Sequence, residues 1–359
     1  MRSIFFVGPL PPPVHGFSLI NEKMLGALRA QGSPVHVFDL APHTRWAPFV
    51  QWFAFIGALL RAGRSNCSLY LPISGGLRQL IDLLFIVPAR LMGWNIFVHH
   101  HSFAYLNKKP WHATLVFKVL RKAKHIVLCT SMGEKFGQQY GILPSNLRVL
   151  SNSAFLALSV NTVTAKPVLN AAITLGFLSN ITAEKGIFKF LDAIDALHAQ
   201  HIPCNVVVAG PVQPEIQADF DARLAAIPHA RHIGPVYGDA KQQFFNSIDV
   251  LLFPTLYANE AEPVTLWEAM AQAIPVIALQ RGCIQGMVPL AAGCIVEKPH
   301  EFVAAVVKEV TALSMSAELL VSRRSAAKDA FSAAQQQYQY SLKSLLIEMT
   351  HPNPKEVRP

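Results

Sequence analysis

The sequence predicts an α/β protein built from two doubly wound domains, each with a parallel sheet covered by helices. An apolar run over residues 3–8 is followed by Gly16, a helical pattern over residues 17–30 and a second apolar run over residues 34–40. This order of strand, glycine turn, helix and strand opens a doubly wound domain. A second strand-like opening at residues 171–178 follows a weakly periodic stretch, residues 154–170, that we interpret as a linker. A chain of 359 residues is long enough for two such domains.

Composition favours a folded cytoplasmic protein. Hydrophobic residues make up 52% of the chain and charged residues 15%, and the 25 prolines are dispersed. No uninterrupted apolar run reaches the roughly 18–20 residues that a membrane-spanning helix needs. The apolar start is therefore predicted to be a first strand rather than a signal peptide. The five cysteines lie far apart without a C-x-x-C pair, which suits a reducing compartment and argues against a structural zinc site.

Charge is unevenly distributed between the two predicted domains. Residues 1–155 contain 16 Lys and Arg against 4 Asp and Glu, whereas residues 156–359 contain 15 against 18. A balance of +12 in the first half indicates an anionic partner, such as an acidic membrane surface or a phosphate-bearing acceptor, although it can also serve solubility alone. Nucleic acid is disfavoured because basic and aromatic residues are not interleaved.

Two apolar, arginine-bearing segments, residues 45–62 and 77–94, flank a predicted strand at residues 69–73. One interpretation is a pair of helices that cover the sheet. The alternative is an interfacial surface, apolar with arginines at its edges, that rests on anionic lipid at the inner face of the membrane. The sequence leaves both open.

Three consecutive histidines end the predicted strand over residues 95–103. Side chains alternate along a strand, so His99 and His101 share one face and His100 points to the other. A metal site is a rival interpretation, but no suitably spaced carboxylate or cysteine completes it. Ligands of doubly wound folds bind at the carboxyl ends of strands, which favours a binding site here. Lys108 and Lys109 follow, then a predicted helix from about residue 111 to 122 and strands at residues 125–131 and 146–153.

The second predicted domain brings polar residues to the ends of its strands. Asn180, Lys185 and Gly186 follow the strand at residues 171–178, and another strand covers residues 204–209. Residues 219–221 spell D-F-D, but they fall inside a helical pattern, so we expect a solvated surface and no metal. A strand at residues 249–255 leads to an acidic loop that contains Glu260.

Two carboxylates, Glu260 and Glu268, stand eight residues apart with Pro263 between them. Proline favours the first turn of a helix, so a helix is predicted to start near Pro263 with Glu268 about one and a half turns in. The free N–H groups of Val264, Thr265 and Leu266 then form a phosphate-binding helix start. Glu262 is expected to face solvent, since an acid beside an anion site repels. Taken alone, the two acids also fit an ordinary surface helix.

This pattern resembles the E-x7-E signature of retaining glycosyltransferases of the glycogen-synthase-like family 4, which have the GT-B fold. The resemblance implies that Glu260 contacts the donor sugar, that Glu268 holds the ribose, and that the helix start at residues 263–265 holds the diphosphate. It also implies that Lys185 neutralises the diphosphate, that Gly16 approaches the donor or the acceptor, and that His101, or else His99, contacts the sugar. Asn152 matches an asparagine that precedes the interdomain linker.

The chain departs from the family pattern at two positions. Asn180 stands where the family has an arginine, which removes one of two cations expected near the leaving group, but its position still implies that it binds the donor diphosphate. His15 replaces the first glycine of the usual pair, so only Gly16 matches there. His15, His99, Lys108 and Lys109 are assigned by position to the acceptor side.

The resemblance implies a metal-independent transfer of a sugar, without a cofactor, from a nucleotide-diphospho-sugar to a glycan or lipid-linked hydroxyl. Residues 1–155 are the expected acceptor domain, residues 156–335 the expected donor domain, and residues 336–359 a helix and tail that cross back to the first domain. Two Rossmann-like domains are expected to face a cleft. The alternatives are a nucleotide-sugar 2-epimerase of the same fold and a non-catalytic scaffold that binds a partner or a membrane.

Overall fold

Two six-stranded sheets form the framework of the chain, and every strand pairing within them is parallel. The computed structural model describes residues 1–14, 16–41, 47–64, 66–73, 75–157 and 172–351. The chain divides into two compact units, one of residues 1–155 and 335–359 and the other of residues 156–334. Most of the predicted linker, residues 158–170, lies outside the described residues.

The first unit has the strand order β2-β1-β3-β4-β5-β6. Its strands are β1 Ser3–Gly8, β2 Val35–Asp39, β3 Cys67–Ile73, β4 Asn95–His100, β5 Lys124–Val127 and β6 Leu147–Val149. Its helices are α1 Gly16–Ala30, α2 Ala47–Ala62, α3 Gln79–Leu91, α4 Ala104–Asn107, α5 Trp111–Val119 and α6 Thr130–Tyr140, with 3-10 turns at Pro144–Asn146 and Asn152–Phe155. Because β3 pairs with β1 on the side away from β2, the chain changes direction between β1 and β3.

The second unit has the strand order β12-β11-β10-β7-β8-β9. Its strands are β7 Ile173–Leu178, β8 Cys204–Ala209, β9 Ala230–His232, β10 Val250–Phe253, β11 Val276–Leu279 and β12 Gly293–Val296. Its helices are α7 Ile187–Ala199, α8 Gln217–Ala225, α9 Gly238–Ser247, α10 Val264–Ala271, α11 Ile284–Met287, α12 Phe302–Met315 and the start of α13, Ala317–Thr350, with 3-10 turns at Pro214–Ile216 and Pro299–Glu301. The change of direction falls between β7 and β10.

The end of α13 packs on the first unit, as the sequence predicts. Leu345, Leu346 and Met349 join the apolar core formed by α1 and one face of the first sheet. The Glu348 carboxylate accepts two hydrogen bonds of 2.8 Å from the Arg148 guanidinium. The predicted fold class is therefore confirmed: two doubly wound parallel-sheet domains, with a C-terminal helix that packs on the first.

The helices α2 and α3 cover the first sheet with one face and expose the other. Phe55, Leu59, Phe85 and Ile86 are buried, whereas Phe53 and Leu60 are exposed. The buried faces confirm that these helices cover the sheet, whereas the lipid-binding interpretation stays a prediction for the exposed faces. None of the described helices combines the length and apolar composition that crossing a bilayer requires.

Candidate active site

The second sheet brings Lys185 and Glu260 together at its change of direction. Lys185 lies on the loop that follows β7, and Glu260 lies on the loop that follows β10. Because β7 and β10 are parallel neighbours, these loops leave the same edge of the sheet. The Lys185 Nζ atom donates a hydrogen bond of 2.6 Å to Glu260 Oε2. Two residues predicted to act at the reacting sugar, 75 positions apart in sequence, therefore form one ion pair.

Two further side chains hold this pair. The buried Thr255 donates its hydroxyl hydrogen to Glu260 Oε2 over 3.2 Å. The ammonium group of Lys185 lies 5.0 Å from the centre of the Tyr257 ring, a favourable cation–π distance. Neither Thr255 nor Tyr257 was identified from the sequence as a site residue. Both lie between the end of β10 and Glu260, and this position on the segment that leads to the predicted acidic loop is the signal that could have found them.

A glycine that follows Lys185 permits the close approach of the two loops. Gly186 has φ +83°, and a Cβ atom placed there would lie 2.0 Å from the carbonyl oxygen of Pro254. Leu256 N–H donates to the Glu184 carbonyl oxygen over 2.8 Å, which ties the same two segments together. The position of Lys185 therefore depends on the absence of a side chain at residue 186.

We expect Gly186→Ala to destabilise the second unit by more than about 2 kcal/mol, because the left-handed backbone and the clash with backbone atoms both oppose a Cβ atom. For a unit of this size the melting temperature should fall by roughly 5 °C or more. The matched control is Gly286→Ala in α11, where an added Cβ meets open space and should leave the melting temperature nearly unchanged. Equal melting temperatures for the two variants would contradict the argument.

The helix α10 begins at Val264, directly after Pro263, and carries Glu268 in its second turn. The predicted helix start is thus present, but one detail is wrong: the Leu266 N–H donates to the Pro263 carbonyl oxygen over 3.2 Å and is not free. The N–H groups of Val264 and Thr265 are therefore the candidates to donate hydrogen bonds to a phosphate at this helix start.

The expectation that Glu262 faces solvent is also wrong, because its side chain is only 6% exposed. The turn over residues 281–283 packs against the segment that contains it. Cys283 N–H donates to the Ala261 carbonyl oxygen over 2.8 Å, and a Cβ atom at Gly282 would lie 2.2 Å from the Glu260 carbonyl oxygen. The sequence around Glu262 contains no signal that the turn over residues 281–283 buries this side chain.

Glu268 is held by a second lysine. The Lys241 Nζ atom on α9 donates to Glu268 Oε1 over 2.7 Å, and both side chains line a concavity of about 270 Å³. Phe245, Gln242 and Gln272 contribute to its walls. Lys241 was not identified from the sequence as a site residue, and its place on α9, just before β10, carries no family motif that would have indicated it. The pairing leaves Glu268 Oε2 as the carboxylate oxygen for a further hydrogen-bond donor.

The first sheet places His99 and His101 on one face, as the strand periodicity predicts. Their ring centres lie 4.1 Å apart, and the Phe17 ring on α1 lies 4.8 Å from His101. The backbone N–H of His101 donates to the Ile73 carbonyl oxygen over 3.3 Å, which puts His101 beside the carboxyl end of β3. Burial lowers the pKa of His101 to about 3, so its imidazole is neutral at physiological pH. Its buried Nε2 atom makes no hydrogen bond to any described residue.

His100 points to the opposite face and forms a hydrogen-bonded chain. The Leu120 carbonyl oxygen can only accept, so His125 Nε2 donates to it over 3.1 Å and His125 Nδ1 must accept. His100 Nε2 therefore donates to His125 Nδ1 over 3.0 Å, and Tyr105 Oη donates to His100 Nδ1 over 2.7 Å. Both histidines are neutral because burial lowers their pKa values. The chain fixes the end of β4 immediately before His101.

The remaining predicted site residues fall into three groups. Gly16 is the first residue of α1 and precedes Phe17, whose ring contacts the His101 ring. His15 lies outside the described residues. Asn180 is exposed at the end of β7, and Asn152 is buried. Lys108 and Lys109 are exposed, and neither makes a described hydrogen bond or ion pair with the His101 site; Lys109 lies over the Tyr140 ring at 5.7 Å. Within the described ranges no group of three His, Cys, Asp or Glu side chains could hold a metal ion.

Solved structures with the same architecture cover nearly the whole chain. HepE of Anabaena, solved in complex with UDP, has a TM-score of 0.69 at 15% identity, and the alignment covers 96% of this chain and 100% of that one. Sucrose-phosphate synthase of Thermosynechococcus elongatus has a TM-score of 0.72 at 14% identity, covering 97% and 99%. The lipopolysaccharide outer core galactosyltransferase WaaB has a TM-score of 0.70 at 15% identity, covering 97% and 99%. These likenesses establish the GT-B fold.

The second unit matches a family model. Residues 172–311 match the family model described as "Glycosyl transferases group 1", and this range contains Lys185, Glu260 and Glu268. No curated protein sequence matches the chain. The family-model match covers less than half of the chain, so it characterises the second unit, which is similar to the group 1 glycosyltransferases.

Proposed function

We propose that the chain is a retaining hexosyltransferase that moves a sugar from a nucleotide-diphospho-sugar to a hydroxyl of a glycan or lipid-linked acceptor, without a metal ion. The observation that carries this proposal is the Lys185–Glu260 pair at the carboxyl edge of the second sheet. A cation and a carboxylate held 2.6 Å apart can face a diphosphate and the sugar attached to it at the same time.

Lys185 supplies the positive charge for the leaving diphosphate. An ammonium group has three N–H donors, and the bond to Glu260 uses one of them. The other donors can reach phosphate oxygens, and the N–H groups of Val264 and Thr265 add a helix start of matching polarity. With Asn180 at the position of the usual arginine, Lys185 carries a larger share of this charge.

The reaction that fits these groups is a front-face displacement. The bond between the anomeric carbon and the diphosphate oxygen breaks, and the acceptor oxygen bonds to the same face of the sugar. The acceptor hydroxyl proton passes to the departing diphosphate. Positioning and charge stabilisation supply the rate enhancement, and no side chain has to serve as a base. His101, neutral and with an unused Nε2 atom, is suited to hydrogen-bond a sugar or acceptor hydroxyl.

The solved structures suggest which donors to test first. HepE was solved with UDP and glucose, and a pneumococcal O-GlcNAc transferase, GtfA, with UDP and GlcNAc. A thermal-shift screen of UDP-, GDP- and ADP-sugars on the full chain is expected to give a stabilising response to one nucleotide class, because a ligand that binds the folded state raises the melting temperature. Sugar transfer should then require an acceptor. Conversion of the donor without acceptor would instead indicate an epimerase.

We expect Glu268→Ala to weaken binding of the responding nucleotide sugar by about tenfold to a hundredfold, the effect of losing a carboxylate that accepts hydrogen bonds from ribose hydroxyls. Isothermal titration calorimetry measures the change. The matched control is Glu309→Ala, which removes a carboxylate of similar exposure from the Arg323 ion pair in the same unit. Unchanged donor binding in the Glu268 variant would favour a scaffold over a transferase.

A further inference from the structure

An apolar stripe runs along the exposed face of α3. Its members recur at intervals of four, three, three and four residues, which places them on one side of a helix. They are 37% to 74% exposed: Leu77, in the turn just before α3, and Ile81, Leu84, Val87 and Leu91 on the helix itself. The opposite side of α3 contributes Phe85, Ile86 and Ala89 to the core. The stripe is therefore additional to the residues that α3 needs to pack on the sheet.

The neighbouring helices extend this stripe into a wider surface. On α2, Phe53 and Leu60 are 68% and 65% exposed and lie seven residues apart, hence on one face. The Trp52 indole N–H donates to the Leu84 carbonyl oxygen over 3.0 Å, so α2 and α3 lie side by side. On α5, which packs next to α3, Trp111 is 68% exposed. We call the exposed side of these helices the α2–α3–α5 face. Contiguous exposed apolar surface of this kind marks an interaction site.

The charge around this face has one sign. Residues 40–133 contain eleven Lys and Arg but a single acid, Asp82, and that acid is buried. The α2–α3–α5 face carries exposed cations at the helix ends and just beyond them: Arg61, Arg64, Arg90, Lys118 and Lys122. Among the described residues of this stretch no carboxylate is exposed to balance them.

We propose that the α2–α3–α5 face docks on the surface of an anionic lipid bilayer. Exposed aromatic and leucine side chains beside Lys and Arg are the chemistry that binds the interface between headgroups and acyl chains. A second copy of the chain fits less well, since a face whose exposed charges are all positive would meet its own positive charge. The apolar side chains enter the acyl boundary, and the cations remain among the anionic headgroups.

Vesicle sedimentation with the full chain tests the proposal. Binding should be strong to vesicles of phosphatidylcholine mixed with phosphatidylglycerol, weak to phosphatidylcholine alone, and reduced by salt. Arg61→Glu and Arg90→Glu should each weaken binding by at least about fivefold, since one basic residue near such a surface contributes about that factor. The double variant Phe53→Ser/Leu60→Ser should weaken it by about tenfold or more.

A matched control uses the exposed apolar residues of the other unit. Leu290 and Met315 are 85% and 82% exposed, and Leu290→Ser/Met315→Ser should leave vesicle binding unchanged. All these substitutions are at exposed positions, so each variant should fold and keep its thermal-shift response to the nucleotide sugar. A variant that loses vesicle binding but keeps this response tests the membrane surface alone, whereas loss of the response would concern the proposed enzymatic function.

Three outcomes would overturn the proposal. One is the absence of binding to anionic vesicles. Another is binding that is equal for the α2–α3–α5 variants and the control. The third is a concentration-dependent dimer, detected by analytical ultracentrifugation, that Phe53→Ser/Leu60→Ser dissociates, which would assign the face to a second copy of the chain.

Discussion

Lys185→Ala is expected to lower kcat/KM for sugar transfer by about a thousandfold. The variant removes the cation that we assign to the leaving diphosphate, and loss of one such stabilising group costs about this much in related charge-stabilised reactions. It also leaves the Glu260 carboxylate without its 2.6 Å partner, facing a substrate that is itself anionic. Steady-state rates with saturating acceptor, measured for the wild type and the variant, give the ratio.

A comparison with Glu260→Gln shows whether Lys185 acts on the substrate or only through Glu260. If Lys185 contacts the diphosphate, Lys185→Ala should weaken binding of the free nucleoside diphosphate about tenfold or more, and Glu260→Gln should strengthen it by removing a negative charge. Lys185→Arg should retain part of the affinity, and Lys298→Ala, at an exposed ion pair in the same unit, should have no effect. If Lys185 only positions Glu260, then Lys185→Ala and Glu260→Gln should bind the free nucleoside diphosphate with equal affinity.

The fold could be predicted from the sequence because its determinants are local. Strand β1, helix α1 and strand β2 follow from one apolar run, one helical period and a second run, and the start of α10 follows from Pro263. The elements that escaped prediction have weak local signals. Helix α6 buries only Met132, Gly133 and Phe136, and strand β12 is four residues long.

Candidate site residues could be named from the sequence, but the contacts between them could not. Glu260 and Lys185 were identified from their family motifs, but their direct pairing depends on the adjacency of β7 and β10, which is a property of the sheet order. The pairing of Lys241 with Glu268 and the burial of Glu262 depend in the same way on segments distant in sequence. Ion pairs and hydrogen bonds between loops that are distant in sequence produce no hydrophobic periodicity from which they could be predicted.

The first unit should lose stability steeply in mild acid. Burial lowers the pKa values of four of its histidines, to about 3 for His101 and about 4 for His125, and well below the usual value for His99 and His100. A histidine with a lowered folded-state pKa is neutral when folded, whereas the unfolded chain binds a proton below about pH 6.5. The stability from these groups is therefore complete above that pH and is lost as the pH falls.

The expected loss between pH 7.5 and 5.5 is between about 1 and 2 kcal/mol for each of the four histidines. One group opposes it: burial raises the pKa of Asp82 to about 7, although Arg78 lowers it, so the folded state takes up a proton there. That uptake returns about 2 kcal/mol and leaves a net loss near 4 kcal/mol. Hydrogen exchange of the amides in β4 and β5, measured at both pH values, reports the free energy of opening in this unit.

Two variants test the sign of each contribution. Asp82→Asn removes the opposing carboxyl, so the loss between the two pH values should increase by about 2 kcal/mol. His125→Gln removes one titrating imidazole, so the loss should decrease by between about 1 and 2 kcal/mol even if the variant is less stable throughout. His300→Gln, at an exposed position in the other unit, provides the reference curve. If opening free energies are equal at pH 7.5 and 5.5, or if Asp82→Asn reduces the loss, the histidines of β4 and β5 do not govern the acid response of the fold.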